Sequence, residues 1–401
     1  VAIIKESLVY ICGEIIAKFM PFLLLPYLAG KLGVANYGEL SLYQTYMTLI
    51  FVIVSYSQNS ALSRYFYRYG KLGVPDIFST GLLLTILTSV PFIIIFASNN
   101  QYVFGSIIFT SIFQTLVFNY LSIFQCNKQP IKYVLVQLFV SFLVVFFIVF
   151  QFEYAGASVS AYFNSFLLSY FIVFVFLFFN KKEYFSFNPR GLVKLAKFIL
   201  SFGFPLVIHQ LCLFAKGGID RFIIGGQYGG NELGIYAMAF QISSILQVVF
   251  IALNRAILPY YYKGLKDGRI NENNILTGAR ISMLFPLASI FILGFIPERF
   301  YLYFLGSEFS GIKWFIMIFV FGISINLIYF SLINYFFYNG YTKVIAKANL
   351  LSAVIHVIFV LAFSLVSVKF VAFSLIISNI VLCSVLYFYV RVMAYKGTLL
   401  Q

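Results

Sequence analysis

Twelve stretches of roughly 20 apolar residues, separated by short polar connections, fill the sequence almost from end to end. About 20 apolar residues are what a helix needs to cross the hydrocarbon of a bilayer. The spans are expected near 7–30, 40–62, 77–97, 102–125, 133–152, 158–179, 198–224, 233–257, 276–296, 314–337, 348–367 and 370–390. Little of the 401 residues is left for anything outside the membrane. The expected class is an all-α membrane protein of about twelve transmembrane helices.

Charged residues make up 10% of the chain and hydrophobic ones 62%, against about 25% and 45–50% in soluble domains. The formal net charge is +15, which in a soluble protein would point to nucleic acid. Here the charge follows the loops instead. With the N-terminus inside, the inner loops carry eighteen Lys and Arg, from Lys5 to Lys396, against six in the outer loops and helix ends: Lys31, Lys216, Arg221, Arg299, Lys313 and Lys369. That bias places both termini in the cytoplasm and explains the basic charge without a nucleic-acid partner. Cys12, Cys126, Cys212 and Cys383 form no CxxC motif or Cys/His cluster, so neither a disulfide framework nor a metal site is expected. The apolar run after Lys5 continues through Leu28, too long for a signal peptide, and is read as the first membrane helix.

The longest connection, about 181–197, is polar, contains Pro189, and lies near the middle. It reads as a cytoplasmic linker between an N-terminal six-helix lobe, 1–180, and a C-terminal one, 198–401. A repeat supports this division. Gly33-x4-Gly38 and Gly229-x4-Gly234 each follow the first helix of a half and lead into a tyrosine-containing helix, offset by 196 residues. Glycine suits such turns because it tolerates positive φ and close helix approach. Pro91 and Pro286 match at nearly the same offset. An even number of helices per half makes the repeats parallel, which suits alternating access with a site between the halves.

A charge at mid-bilayer costs roughly 2.5–3.5 kcal/mol on insertion scales, so intramembrane charges are candidate site residues. Glu14 and Lys18 stand four apart in the first span, and Lys216 and Asp220 four apart in the seventh. Each couple is either a self-neutralising pair or part of a site. The second span carries a polar stripe of Gln44, Thr48, Ser55 and Asn59; the eighth carries Gln241, Ser244 and Arg255. These helices are expected to line a hydrated cavity. Its candidate charges, Lys18, Lys216, Arg221, Arg255 and Arg280 against Glu14 and Asp220, are in cationic excess, which suits an anionic substrate such as phosphate or pyrophosphate.

Phe22-Leu23-Leu24-Leu25-Pro26-Tyr27-Leu28 through Gly33 and Gly38 resembles the opening of Wzx-type polysaccharide flippases. Phe202-Gly203-Phe204-Pro205-Leu206, Ile219-Asp220-Arg221-Phe222 and Leu305-Gly306-Ser307-Glu308-Phe309 resemble the same family, part of the multidrug/oligosaccharidyl-lipid/polysaccharide (MOP) exporter superfamily. The resemblance spans about the whole chain. It implies a two-lobed, V-shaped bundle that moves an undecaprenyl-diphosphate-linked oligosaccharide from the inner to the outer leaflet of the bacterial cytoplasmic membrane. It also implies cations near the pyrophosphate, a role that falls to Lys18, Lys216 and Arg255. Ion-gradient coupling by proton or sodium falls to Glu14 and Asp220. No other cofactor is implied. Membrane lipids, a polysaccharide polymerase and chain-length machinery are the implied partners.

Two other classes are the alternatives. A drug or small-solute antiporter of the same superfamily should carry an acidic cavity, against the cationic excess here. A polysaccharide polymerase needs catalytic groups on a sizeable outer loop. The largest outer loop, about 297–313, holds only Glu298, Arg299, Glu308 and Lys313 as charges. No paired carboxylates, Ser-His-Asp set, Walker A loop or dinucleotide fingerprint occurs, so the chain is not expected to be an enzyme and ATP cannot drive transport within it.

Overall fold

The computed structural model describes residues 13, 15–17, 19–99, 102–181, 184–186 and 189–399. Among them the chain is helical, with no strand. In order the helices are α1 (Leu25–Ser55), α2 (Gln58–Tyr69), α3 (Val74–Asn99), α4 (Tyr102–Cys126), α5 (Pro130–Tyr154), α6 (Val159–Asn180) and α7 (Pro189–Lys266). They continue with α8 (Glu272–Ser282), α9 (Leu284–Phe295), α10 (Glu298–Leu305), α11 (Ile312–Ser324), α12 (Asn326–Tyr338), α13 (Thr342–Ser364), α14 (Val368–Val371) and α15 (Phe373–Leu399). Among the described residues ten helical stretches are long and apolar enough to cross a membrane. Eight of them match one expected span each. The other two, Leu25–Tyr69 and Gly191–Lys266, hold two expected spans apiece, the first in part.

Helix α7 runs for 78 residues, about 120 Å if straight and several times the hydrocarbon thickness. It is not straight. Gly229 takes non-helical angles, φ 81° and ψ −176°. Tyr236 donates a hydrogen bond to Asp220, sixteen residues earlier, which in a continuous helix would lie roughly 24 Å away. The chain therefore doubles back at Gly229 into a first and a second arm. Gly33 in α1 has nearly the same angles, φ 70° and ψ 177°, and stands 196 residues before Gly229. The helix restarts after Gly33 at Val34, whose N–H donates to the Glu308 carboxylate at 3.3 Å, an anion at a helix N-terminus.

The chain divides into two compact units. One consists of the described residues of Val1–Leu24 with Leu42–Phe214; the other of Leu25–Ser41 with the described residues of Ala215–Gln401. In the first unit α4 is the buried helix. Its interface is built of small residues, among them Gly105, Ser106, Thr110, Ser111 and Thr115. Small side chains let membrane helices approach closely where lipid supplies no hydrophobic drive. The hydroxyls satisfy themselves on their own helix: Thr110 donates to the Ser106 carbonyl at 2.6 Å and Thr115 to that of Ser111 at 2.7 Å. Helix α5 is the opposite case, with Phe139, Phe142, Phe146 and Phe150 exposed along it as a lipid-facing stripe.

In the second unit α8, α12 and α15 pack around Leu332, Phe336, Leu386 and Val390. Pro286 has no N–H for the Ser282 carbonyl, and α8 accordingly ends at Ser282 before α9 begins at Leu284. The two glycine turns meet inside this unit. A Cβ on Gly38 would fall on the Gly230 carbonyl, and one on Gly234 on the Val34 carbonyl.

Candidate functional site

Four ionisable side chains of the second unit, Lys216, Asp220, Arg221 and His356, gather in one largely buried region. The first arm of α7 supplies Lys216, Asp220 and Arg221, and the second arm supplies Tyr236 and Phe240. His356 comes from α13 and Asn379 from α15. Lys216 and Asp220 have the i, i+4 spacing of an ion pair, yet they do not pair. Lys216 Nζ donates to Asn379 Oδ1 at 2.8 Å. Asn379 is held in turn by its own donation to the Gly322 carbonyl at 3.0 Å. Asp220, only 3% exposed, accepts from the Tyr236 hydroxyl and from the Arg221 backbone N–H at 3.0 Å.

The ammonium thus meets a neutral amide and the carboxylate a neutral phenol, so neither charge is cancelled by a salt bridge. An ammonium has three donors, and Asn379 takes one. Arg221 donates to the Gly217 carbonyl at 3.1 Å and lies 5.0 Å from the Phe240 ring centroid, a cation–π distance. Its Nε is buried without a partner. His356 is 1% exposed. Asp220 and Lys216 act on it electrostatically and the Ser374 backbone lies near, but neither ring nitrogen makes a hydrogen bond of good geometry. Buried polar atoms left open in this way call for an explanation, and a site that takes up an ion or a polar ligand is one.

The other expected site residues are placed as follows. Glu14 and Lys18 lie outside the described residues. Arg255 is exposed on the second arm of α7. Ser244 donates to the Gln241 carbonyl at 2.7 Å. In the first unit Gln44 donates to the Tyr162 hydroxyl at 2.8 Å, and Thr48 bonds back to the Gln44 carbonyl at 2.9 Å. Ser55 is buried at the end of α1. Tyr56 and Ser57 then take positive φ, 46° and 53°, so Asn59 belongs to a new helix whose phase is reset. Its neighbour Gln58 is the buried polar residue, joined to Thr85 at 3.0 Å and to Asn119 at 3.2 Å.

A polar seam runs between the second arm of α7 and α12. Asn326 donates to Gln247 at 2.6 Å, Asn334 to Asn254 at 2.8 Å, and Tyr261 to the Ser331 carbonyl at 3.0 Å. Sequence reasoning passed over it, although Gln247, Asn254 and Tyr261 recur every seven residues, the period of a helix–helix seam. Beside it lies a recess of about 380 Å³, walled mainly by apolar side chains such as Leu253, Ile257 and Phe330 and carrying Asn254, Asn274, Ser282 and Asn334 among them.

A family model described as polysaccharide biosynthesis protein matches residues 3–264. Lsg locus putative protein 1 of Haemophilus influenzae is 34% identical over 396 residues, 96% of this chain and 97% of that one. An uncharacterized membrane protein of the same organism is 33% identical over 365 residues, 88% and 89% of the two chains. Among solved structures, an inward-facing multidrug resistance MATE transporter of the MOP superfamily matches with a TM-score of 0.68 at 18% identity, over 93% of this chain and 94% of that one. A MOP superfamily transporter from Pyrococcus furiosus matches with a TM-score of 0.59 at 16% identity, over 98% and 95%. At such identities the likeness is one of fold. The chain belongs to the polysaccharide biosynthesis protein family and has the all-α, multi-pass membrane fold of MOP-superfamily transporters.

Proposed function

We propose that the protein is a flippase that carries an undecaprenyl-diphosphate-linked oligosaccharide from the cytoplasmic to the outer leaflet of the bacterial inner membrane, with both termini cytoplasmic. The observation that carries this reading is Lys216: a partly buried ammonium inside a span, hydrogen-bonded only to a neutral amide. Such a cation is costly in a membrane unless an anion completes it, and a diphosphate supplies one. Family membership places the chain in polysaccharide biosynthesis, where a lipid diphosphate is an anion of the right kind. Lys216, Lys18 and Arg255 are assigned to the diphosphate. Gln44, Thr48, Ser55, Asn59, Gln241 and Ser244 are assigned to the wall of the transport path.

Asp220 and Glu14 are assigned to coupling with a proton or sodium gradient, because only a titratable or cation-binding group links ion movement to the cycle. Asp220 is suited to coupling because it is buried and its partners are a phenol and a backbone N–H rather than a fixed cation. The polymerase and the chain-length machinery are the partners that would consume the product.

Complementation of a deletion strain tests the assignment. Wild-type protein restores surface polysaccharide, while Lys216→Ala and Lys18→Ala insert at normal levels and restore little, and Lys216→Arg restores part. Full restoration by both alanine variants would remove the diphosphate role from these lysines.

A further inference from the structure

A second amphipathic feature lies along α8, α9 and α15; its lining includes Cys383, one turn along α15 from the Asn379 that holds Lys216. An apolar groove of about 520 Å³ runs between Pro286 and Leu287 on one side and Ile380 and Phe388 on the other, floored by Phe321 and Ile325. That volume is in the range of a small-molecule site. Leu287 and Phe388 are 62% and 64% exposed along it. A second recess of about 450 Å³ is lined by Asn273, Arg280, Arg391 and Tyr395. Phe388 and Arg391 line both, so groove and recess adjoin at these side chains.

Among the described residues no carboxylate lines either space. Arg280 is steadied by donation from its Nε to the Tyr387 hydroxyl at 2.9 Å, which leaves its terminal N–H groups for another partner. Neither arginine is paired with an acid among the described residues. A trough of hydrocarbon ended by two guanidinium groups complements a molecule with a long apolar chain and an anionic, oxygen-rich head. A soluble anion has no use for the trough, and a neutral lipid has none for the arginines. Guanidinium matches phosphate oxygens in two-point geometry, and basic pockets between membrane helices are where phosphorylated head groups bind.

We infer that this face of the second unit binds an anionic phospholipid of the surrounding membrane, its acyl chain in the groove and its phosphate held by Arg280 and Arg391. This site is separate from the transported substrate and stands whether or not the flippase reading does.

Native mass spectrometry of the purified full chain, titrated with phosphatidylglycerol or phosphatidylcholine, tests it. Wild-type protein is expected to retain phosphatidylglycerol in clear preference to phosphatidylcholine. Arg280→Gln/Arg391→Gln should weaken phosphatidylglycerol retention by roughly fivefold or more for each charge, and Arg280→Lys/Arg391→Lys by less. Ser384→Trp, which fills the groove and keeps both arginines, should weaken it as well, and inorganic phosphate should not displace the lipid. Equal binding of the two lipids, or wild-type retention by the glutamine variant, overturns the proposal. If the glutamine variant does not fold, wild-type retention by Ser384→Trp overturns it. Complete displacement by phosphate would show that the groove holds no chain and would equally overturn it.

Discussion

Asp220 and Tyr236 set the energetics of the cluster at the residue scale. Each hydrogen bond to a buried carboxylate offsets part of the cost of its charge. Tyr236→Phe removes one of the donors that reach Asp220 and leaves the Arg221 N–H. It should lower stability by about 1–3 kcal/mol, read as an earlier thermal transition in detergent. Asp220→Asn/Tyr236→Phe, which removes the charge together with its donor, should recover much of that loss. Lys216 and Asp220 were legible in the sequence because charges inside apolar spans are rare enough to stand out singly. Their partners were not. Spacing left open whether the two pair with each other or belong to a site; tertiary packing brings Asn379 and Tyr236 to them from other segments. Asn379, polar but uncharged in an apolar helix, gave no comparable signal.

At the scale of elements the glycine turns are decisive. Gly33 and Gly229 share a left-handed, extended geometry that an L side chain rarely adopts, and Gly38 and Gly234 allow the two turns to touch. Gly38→Ala or Gly234→Ala should destabilise by more than about 2 kcal/mol, since the obstacle to the new Cβ is backbone rather than a movable side chain. Gly30→Ala, with open space around its Cβ, should be neutral or slightly stabilising in the same thermal assay. The seam of Gln247, Asn254 and Tyr261 gives a second test. Asn254→Leu alone strands Asn334 without its partner and should cost more than Asn254→Leu/Asn334→Leu, with a coupling of roughly 0.6–1.7 kcal/mol. The turns were legible because glycine spacing repeats at a fixed offset. The seam went unread because its polar residues lie among apolar ones, and only helix α12 tells which face they occupy.

For the whole molecule, hydropathy gave the spans and the structure gave their joints. Spans such as 102–125 and 314–337 appear as Tyr102–Cys126 and Ile312–Tyr338, because length and apolarity alone define a membrane crossing. The reversal near Gly229 falls in the break expected between spans 198–224 and 233–257; what hydropathy does not see is backbone angle, so it did not show that helix continues on both sides up to a single non-helical glycine. The proposed orientation rests on eighteen Lys and Arg in one set of loops against six in the other set and its helix ends. Labelling of single cysteines introduced at positions 128 and 268, in a chain with its native cysteines removed, should require permeabilised cells. Cysteines at 156 and 306 should label in intact cells. The reverse pattern would invert the proposed direction of transport. Transport itself is tested most directly in vesicles containing the purified protein and a lipid-linked oligosaccharide on one leaflet. The fraction reached from the other side by a membrane-impermeant glycosidase should rise with time and depend on Lys216. A fraction that stays at the protein-free level under both proton and sodium gradients would contradict the flippase assignment.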